Sequence, residues 1–279
     1  LLFLSIFIFK NIYLIIYVEF IEFKNCNYQV IYLNFKKYGL PLILPLIVLF
    51  VWYLITDGLA LLPNYILPSP VSVCQSAYTI CINGRLVNNT ISTLIKVFLG
   101  IGLAAVIAIP LGICFGYSET LDRFTSLMIS ILRPIPPIAW IPFSILWFGI
   151  GLNSAIFIIF MGCVFPLLVY TIDGVKRTPK ILIESAETLG ASNSTILRKI
   201  ILPSSVPYII SGLKVGVSIA LMCTISAEMI GSSTGLGYMI LTASNLFDPG
   251  TTVVGMLVIG IIGIVFDTVF GKLQDKIFW

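Results

Sequence analysis

Apolar stretches of about twenty residues recur along this chain, and they restrict its fold more than any other feature. A helix needs roughly that many apolar residues to cross about 30 Å of hydrocarbon. The stretches are Leu40–Leu62, Ile91–Tyr117, Ser126–Phe148, Asn153–Ile172, Val206–Ile230 and Thr251–Phe270. Composition removes the alternative of a water-soluble domain. Of 279 residues, 58% are hydrophobic and only 10% charged, with a mean hydropathy of +1.08, too little polar surface to cover a soluble core. The expected fold is all-α and integral to a membrane, with six transmembrane helices. The third is interrupted by the prolines of Arg133-Pro134-Ile135-Pro136-Pro137.

Lysine and arginine sort by loop. With the N-terminus inside, Lys36, Lys37, Arg123, Lys176, Arg177, Lys180, Arg198, Lys199, Lys272 and Lys276 all fall on the cytoplasmic side. The opposite loops hold almost only Arg85, so the positive-inside bias places both termini in the cytoplasm of a multi-pass protein of the cell membrane. Residues 1–37 form a doubtful N-terminal segment, 38–65 the first transmembrane helix and its outer end, and 66–279 one transmembrane domain that includes a loop at 178–203. Segment 1–37 is dense in Ile, Phe, Tyr, Asn and Lys, and the chain has no Met before Met128. A seventh span there would carry Lys10 and Asn11 at its middle, where a charge costs at least a few kcal/mol. The segment is expected to be an over-extended start or a fragment artefact.

Catalytic chemistry has little to work with. The chain has no His, the commonest proton shuttle and metal ligand. The cysteines Cys26, Cys74, Cys81, Cys114, Cys163 and Cys223 show no metal-ligand spacing. An intramembrane enzyme would need a nucleophile–base pair or paired carboxylates at one depth, and the carboxylates lie scattered at span ends. Gly231–Gly237 (GSSTGLG) superficially resembles a phosphate loop but lacks the Lys-Ser/Thr ending. The expectation is a non-catalytic chain with no metal, cofactor or nucleic acid, and with the lipid bilayer as its surroundings.

The polar insert Glu184–Pro203 separates two apolar stretches. Thr178-Pro179 reads as an N-cap followed by proline at the first helical position. A helix then runs to Leu189, and Gly190 is placed to end it in the left-handed conformation. Ser192 can cap a second helix that ends before Pro203, with Arg198 and Lys199 favouring the dipole in its last turns. Two short helices joined at a glycine elbow result. They are either an ordinary amphipathic surface loop or a docking element.

Within the spans, the prolines Pro134, Pro136 and Pro137 free backbone carbonyls. They either make a packing kink or shape a solute path or gate, with Trp140 and Trp147 as lining groups. Asp57, Asp173 and Asp267 fall near span ends. Lys96 and Glu228 lie near the outer ends of the second and fifth spans, where a pair between them could belong to an outer gate. Gly212 and Gly216 have GxxxG spacing, and Gly255, Gly260 and Gly263 punctuate the last span. These glycines pack helices either within one subunit or across a dimer.

The spacing of Glu184-Ser185-Ala186, Gly190, and Ile200, Leu202 and Pro203 resembles the EAA loop of ABC importer permeases, with Ser185 where alanine is usual. Leu67-Pro68-Ser69-Pro70, Arg133–Pro137, Ile145-Leu146-Trp147-Phe148-Gly149 and Gly235-Leu236-Gly237-Tyr238 extend the resemblance over roughly 66–272, to the permeases for nitrate, taurine and aliphatic sulfonates. It implies a type I importer core whose loop docks as a coupling helix in a cytoplasmic ATPase, through Glu184, Ser185, Ala186, Gly190, Ile200, Leu202 and Pro203. It implies as partners two ATPase subunits that hold ATP and Mg, an extracytoplasmic solute-binding protein and a second copy of the chain. The solute would be a nitrate-, sulfonate- or taurine-like anion or a thiamine-precursor-like molecule. The alternative, a secondary transporter driven by an ion gradient, usually shows internal repeats and ionisable groups near mid-membrane, and neither is evident.

Overall fold

The computed structural model describes residues 40–59 and 62–277, in two compact units divided at Leu61/Leu62. The readings made on residues 1–37 lie outside the described residues. In the first unit, helix α1 (Leu40–Tyr53) passes into one widened turn at Leu54–Gly58. Its apolar length, Ile43–Gly58, is shorter than the span expected at Leu40–Leu62.

The second unit begins with α2 (Pro70–Ile82), a short helix outside the apolar stretches. The motif Leu67–Pro70 is its start: Ser69 Oγ accepts from Ser72 N at 3.2 Å, and Pro70 occupies the first turn, where its missing N–H costs nothing. Then follow α3 (Arg85–Tyr117), α4 (Glu119–Leu132), α5 (Ile141–Phe148), α6 (Leu152–Lys176), α7 (Lys180–Thr188), α8 (Asn193–Gly231), α9 (Leu236–Asn245) and α10 (Pro249–Ile277). No strand occurs among the described residues.

Four of these helices, α3, α6, α8 and α10, are long and apolar enough to cross a membrane. The α4–α5 pair makes a fifth if its two arms count as one span; they meet at a bend of 86°. The described residues therefore do not reproduce six straight spans. The physical reason lies in the proline segment. Pro136 is extended (φ −62°, ψ 135°) and Pro137–Trp140 forms a 3-10 turn, so the backbone leaves α4 and restarts in a new direction. Ser118 caps α4, and Asp122 in its first turn pairs with Lys176 at 2.6 Å, fastening α4 to the end of α6.

The core sits around α6, with α3 on one side and α8 on the other. On α3 the residues facing α6 are Gly100, Ala104, Ala108, Gly112 and Gly116, all small and four apart. A Cβ added at Gly112 would stand 2.6 Å from Thr171 Cβ, and one at Gly116 2.7 Å from Val175 Cβ. Small residues at every fourth position let two helix backbones approach closely where lipid offers no hydrophobic drive. On α8, Gly212 packs against Tyr170 of α6, and on α10 Gly255 packs against Ile240 of α9. Those two glycines therefore serve packing within the chain, whereas Gly260 has open space around it.

Candidate functional sites

One site lies at the end of the bundle where α6 stops and α8 starts. Helix α7 ends in a Schellman motif. Ala191 N donates to Ala186 O at 3.0 Å and Gly190 N to Glu187 O at 2.9 Å, with Gly190 at φ +77°. Ser192 then caps α8, its Oγ accepting from Thr195 N at 3.4 Å. The elbow rests on the bundle through Val175, Ile196 and Ile201, with Ala186 and Ile200 packed against them. Glu184, Ser185, Gly190 and Pro203 are exposed and Leu202 is half-buried. Ser185 Oγ is turned back on its own helix, donating to Ile181 O at 2.6 Å. Beside these polar groups Ile181, Leu182 and Leu189 face outward, Leu189 at 87% exposure.

Two expectations for this loop are corrected. Thr178 does not cap α7: the helix starts at Lys180, and Thr178 Oγ1 is buried with no hydrogen-bond partner among the described residues. The second helix does not end before Pro203. It continues to Gly231 through a widened turn at Leu197–Ile201, where Leu202 N reaches back to Leu197 O. A proline ring clashes with the carbonyl four residues before it and brings no N–H. One π turn immediately upstream absorbs that misfit without ending the helix.

The second site lies at the opposite end and is buried. Lys96 of α3 and Glu228 of α8 form an ion pair of 2.9 Å, with the two residues 2% and 0% exposed. Lys96 Nζ also donates to Ser232 Oγ (2.9 Å) and to Thr234 O. Glu228 Oε2 accepts from Gly237 N (2.9 Å), and Oε1 accepts from Thr93 Oγ1 (2.9 Å). Thr93 Oγ1 in turn accepts from Leu236 N (2.8 Å), and Asn89 Oδ1 accepts from Gly235 N (2.9 Å). The segment Ser232–Gly237, not a phosphate loop, is thus folded over the ion pair and stitched to α3. Gly235 stands at φ +114°, and a Cβ there would overlap the Glu228 carboxylate. A Cβ at Gly237 would stand 2.6 Å from Ile225 O. Every ammonium proton and both carboxylate oxygens are used, the condition under which a buried pair is tolerated.

Sequence reasoning paired Lys96 with Glu228 but missed their partners Thr93, Ser232, Thr234 and Gly237, and the Asn89–Gly235 bond beside them. A signal existed. Asn89, Thr93 and Lys96 are spaced i, i+4, i+7, a polar stripe on one face of an otherwise apolar helix.

The residues suggested for a path do not converge. Trp140 and Trp147 join Phe143, Phe148 and Phe157 in an aromatic run, with ring centroids 5.3–6.5 Å apart. Pro134 and Pro136 are exposed. Pro137 lines a cleft of about 260 Å³ with Arg133, Phe165, Pro166, Tyr170 and Val215. A larger groove of about 820 Å³ runs between α8 and α10, from Met229 and Met256 to the Lys214–Asp267 pair (3.1 Å). Lys96, Glu228 and the two tryptophans line neither.

Comparison with known proteins follows the same outline. Residues 84–277 match the family described as the binding-protein-dependent transport system inner membrane component. A protein of Methanocaldococcus jannaschii named as an ABC transporter permease is 42% identical over 251 residues, 88% of this chain and 93% of that one. The taurine transport system permease of Escherichia coli K12 is 30% identical, covering 83% of this chain and 86% of its own. Among solved structures, the inward-facing MetNI methionine ABC transporter has a chain that superposes with a TM-score of 0.64 at 20% identity. The match covers 71% of this chain and 98% of that one.

Proposed function

The chain belongs to the binding-protein-dependent transport inner-membrane components, the non-catalytic permease subunits of ABC importers, and from that premise we propose that its elbow at 178–203 is where an ATPase subunit docks. The observation that carries this reading is the elbow's build. Its turn is closed by the bonds from Ala191 N to Ala186 O and from Gly190 N to Glu187 O and by the Ser192 cap, its inner face is held by Val175, Ile196 and Ile201, and its outer face presents Glu184 beside the bare Ile181, Leu182 and Leu189. A structured element with unsatisfied apolar surface at the membrane edge suits a protein groove.

The working assembly is two copies of this chain, two ATPase subunits that bind ATP and Mg, and an extracytoplasmic binding protein. Both chain termini and the elbow lie on the cytoplasmic side, as the lysine and arginine bias supports. Closure of the ATPases on ATP would draw the two elbows together. The elbow's rigid attachment to α6 and α8 would carry that motion into the spans, because the elbow makes different contacts in the two states. Lys96 and Glu228 then belong to the outer gate region, where they fasten α3, α8 and the start of α9 together. An ion-driven carrier would need a titratable group free to take up the ion, and both oxygens of Glu228 are already engaged.

The solute is a small anion of the sulfonate or nitrate kind, a reading supported by the taurine permease among the relatives. The test is Glu184→Lys in the assembled transporter. Import should fall at least tenfold while the variant still reaches the membrane and ATP hydrolysis continues uncoupled. Wild-type import by this variant would remove the elbow from the mechanism.

A further inference from the structure

The cleft beside the proline segment carries on its wall an exposed cation, Arg133, with no carboxylate partner among the described residues. It is lined by Arg133 and Pro137 from the bend between α4 and α5, by α6 positions that include Pro166 and Tyr170, and by Val215 and Ile219 from α8. Those α6 positions are the middle of a 25-residue apolar helix, and Val215 and Ile219 lie midway along the apolar part of α8. The cleft therefore sits at mid-height of the bundle. The guanidinium of Arg133 makes no ion pair and no hydrogen bond among the described residues, whereas Lys96, Arg123, Lys176 and Lys214 each have a carboxylate partner.

An ionised side chain at that depth is costly unless it faces water or a charged ligand. The bend keeps it there. Pro134, Pro136 and Pro137 turn the backbone through 86° so that the residue after α4 is presented to α6 and α8 instead of continuing up a helix. The rest of the wall adds polar atoms without adding charge. Pro166 brings no N–H to the Gly162 carbonyl, and Tyr170 contributes a phenol. The volume of about 260 Å³ falls below the range of about 300–1,000 Å³ usual for drug-sized ligands, and suits a solute of few heavy atoms.

We propose that Arg133 is the transit-binding residue for the permeating anion, holding it at mid-membrane between the prolines of the bend and the Pro166–Tyr170 face of α6. A planar guanidinium with five donors matches the oxygens of a sulfonate, carboxylate or nitrate group better than an ammonium does. No Asp or Glu lines the cleft, where a resident carboxylate would compete with the solute. This inference rests on the reading of the solute as a small anion.

The test uses the complete transporter with its ATPase and binding protein in vesicles of phosphatidylcholine alone, and separately in vesicles containing phosphatidylglycerol, with methanesulfonate and nitrate as probes. Wild-type import of neither anion, with import of a neutral solute, would overturn the anion reading itself. Where the wild type imports an anion, Arg133→Gln should lower its import at least tenfold and Arg133→Lys should restore part of it, in both kinds of vesicle. Co-purification of the ATPase with each variant checks assembly. Import by Arg133→Gln within twofold of wild type in phosphatidylcholine overturns the proposal. So does a defect confined to phosphatidylglycerol vesicles, which would assign the guanidinium to a lipid headgroup.

Discussion

The two ends of the bundle solve opposite problems with the same residue types. At the Glu228 end, charge is buried, every donor and acceptor has a partner, and Gly235 and Gly237 let the Ser232–Gly237 segment close directly over the carboxylate. At the elbow end, Gly190 also supplies a special conformation, but its purpose is local. It ends α7 and exposes a surface of Glu184, Ile181, Leu182 and Leu189 that none of the described residues covers. The first region has its charges satisfied within one chain, while the second, on the docking proposal, is completed by an ATPase subunit. Substitutions at the Glu228 end should therefore cost folding stability, and those at the elbow should cost transport while leaving folding nearly intact.

The strongest test of that contrast is Glu228→Ala. It strands the Lys96 ammonium in a buried site and should destabilise the protein by about 3–5 kcal/mol, read as thermal unfolding in detergent. Replacing both partners by apolar residues, Lys96→Met with Glu228→Leu, should recover most of that loss. Equal damage in single and double variants would show that the pair itself is not what matters. For import, the exchange Lys96→Glu with Glu228→Lys should rescue what either reversal alone abolishes.

Gly235→Ala comes next, at about 3 kcal/mol, because its methyl overlaps the carboxylate and its backbone sits in a region that L side chains avoid. A variant as stable as the wild type would mean that the segment can lift off the ion pair at little cost. Gly190→Val sharpens the comparison from the other side. A left-handed backbone costs a residue with a side chain about 1–2 kcal/mol, a modest loss of stability, yet import should fall to background while ATP hydrolysis persists. Ser192→Ala removes the α8 cap and should cost about 1 kcal/mol, measurable as faster hydrogen exchange confined to residues 192–197. Smallest of all is Ser185→Ala. Its hydroxyl only bonds back to Ile181 O, so stability should move by less than about 0.5 kcal/mol and import should not change. A clear loss of import would mean that the hydroxyl itself meets the ATPase.

The elbow was legible in the sequence because its determinants are neighbours in the chain. A glycine after a helical run, a serine before one and a short spacing between them are read without knowing what packs where. The failures there were also local conflicts decided by surroundings. Thr178 is buried where a cap would need its oxygen turned to the helix, and Pro203 is accommodated because a widened turn precedes it. The ion pair was legible only in part. Lys96 and Glu228 stand out as charges in apolar runs, but their partners Thr93, Ser232 and Gly237 acquire meaning only once α3, α8 and the start of α9 are docked.

Sequence alone determined the class of this protein, the positions of the four long apolar helices and the glycine elbow. Those follow from apolar length, capping residues and charge counts, which are properties of contiguous chain. Tertiary structure decided that the proline segment bends by 86°, that the small residues of α3 face α6, and that Glu228 shares its oxygens with residues as far away as Thr93. Each of these depends on which helix faces which, and that is set by close packing and by the need to satisfy every buried polar group, neither of which is encoded at a single spacing along the chain.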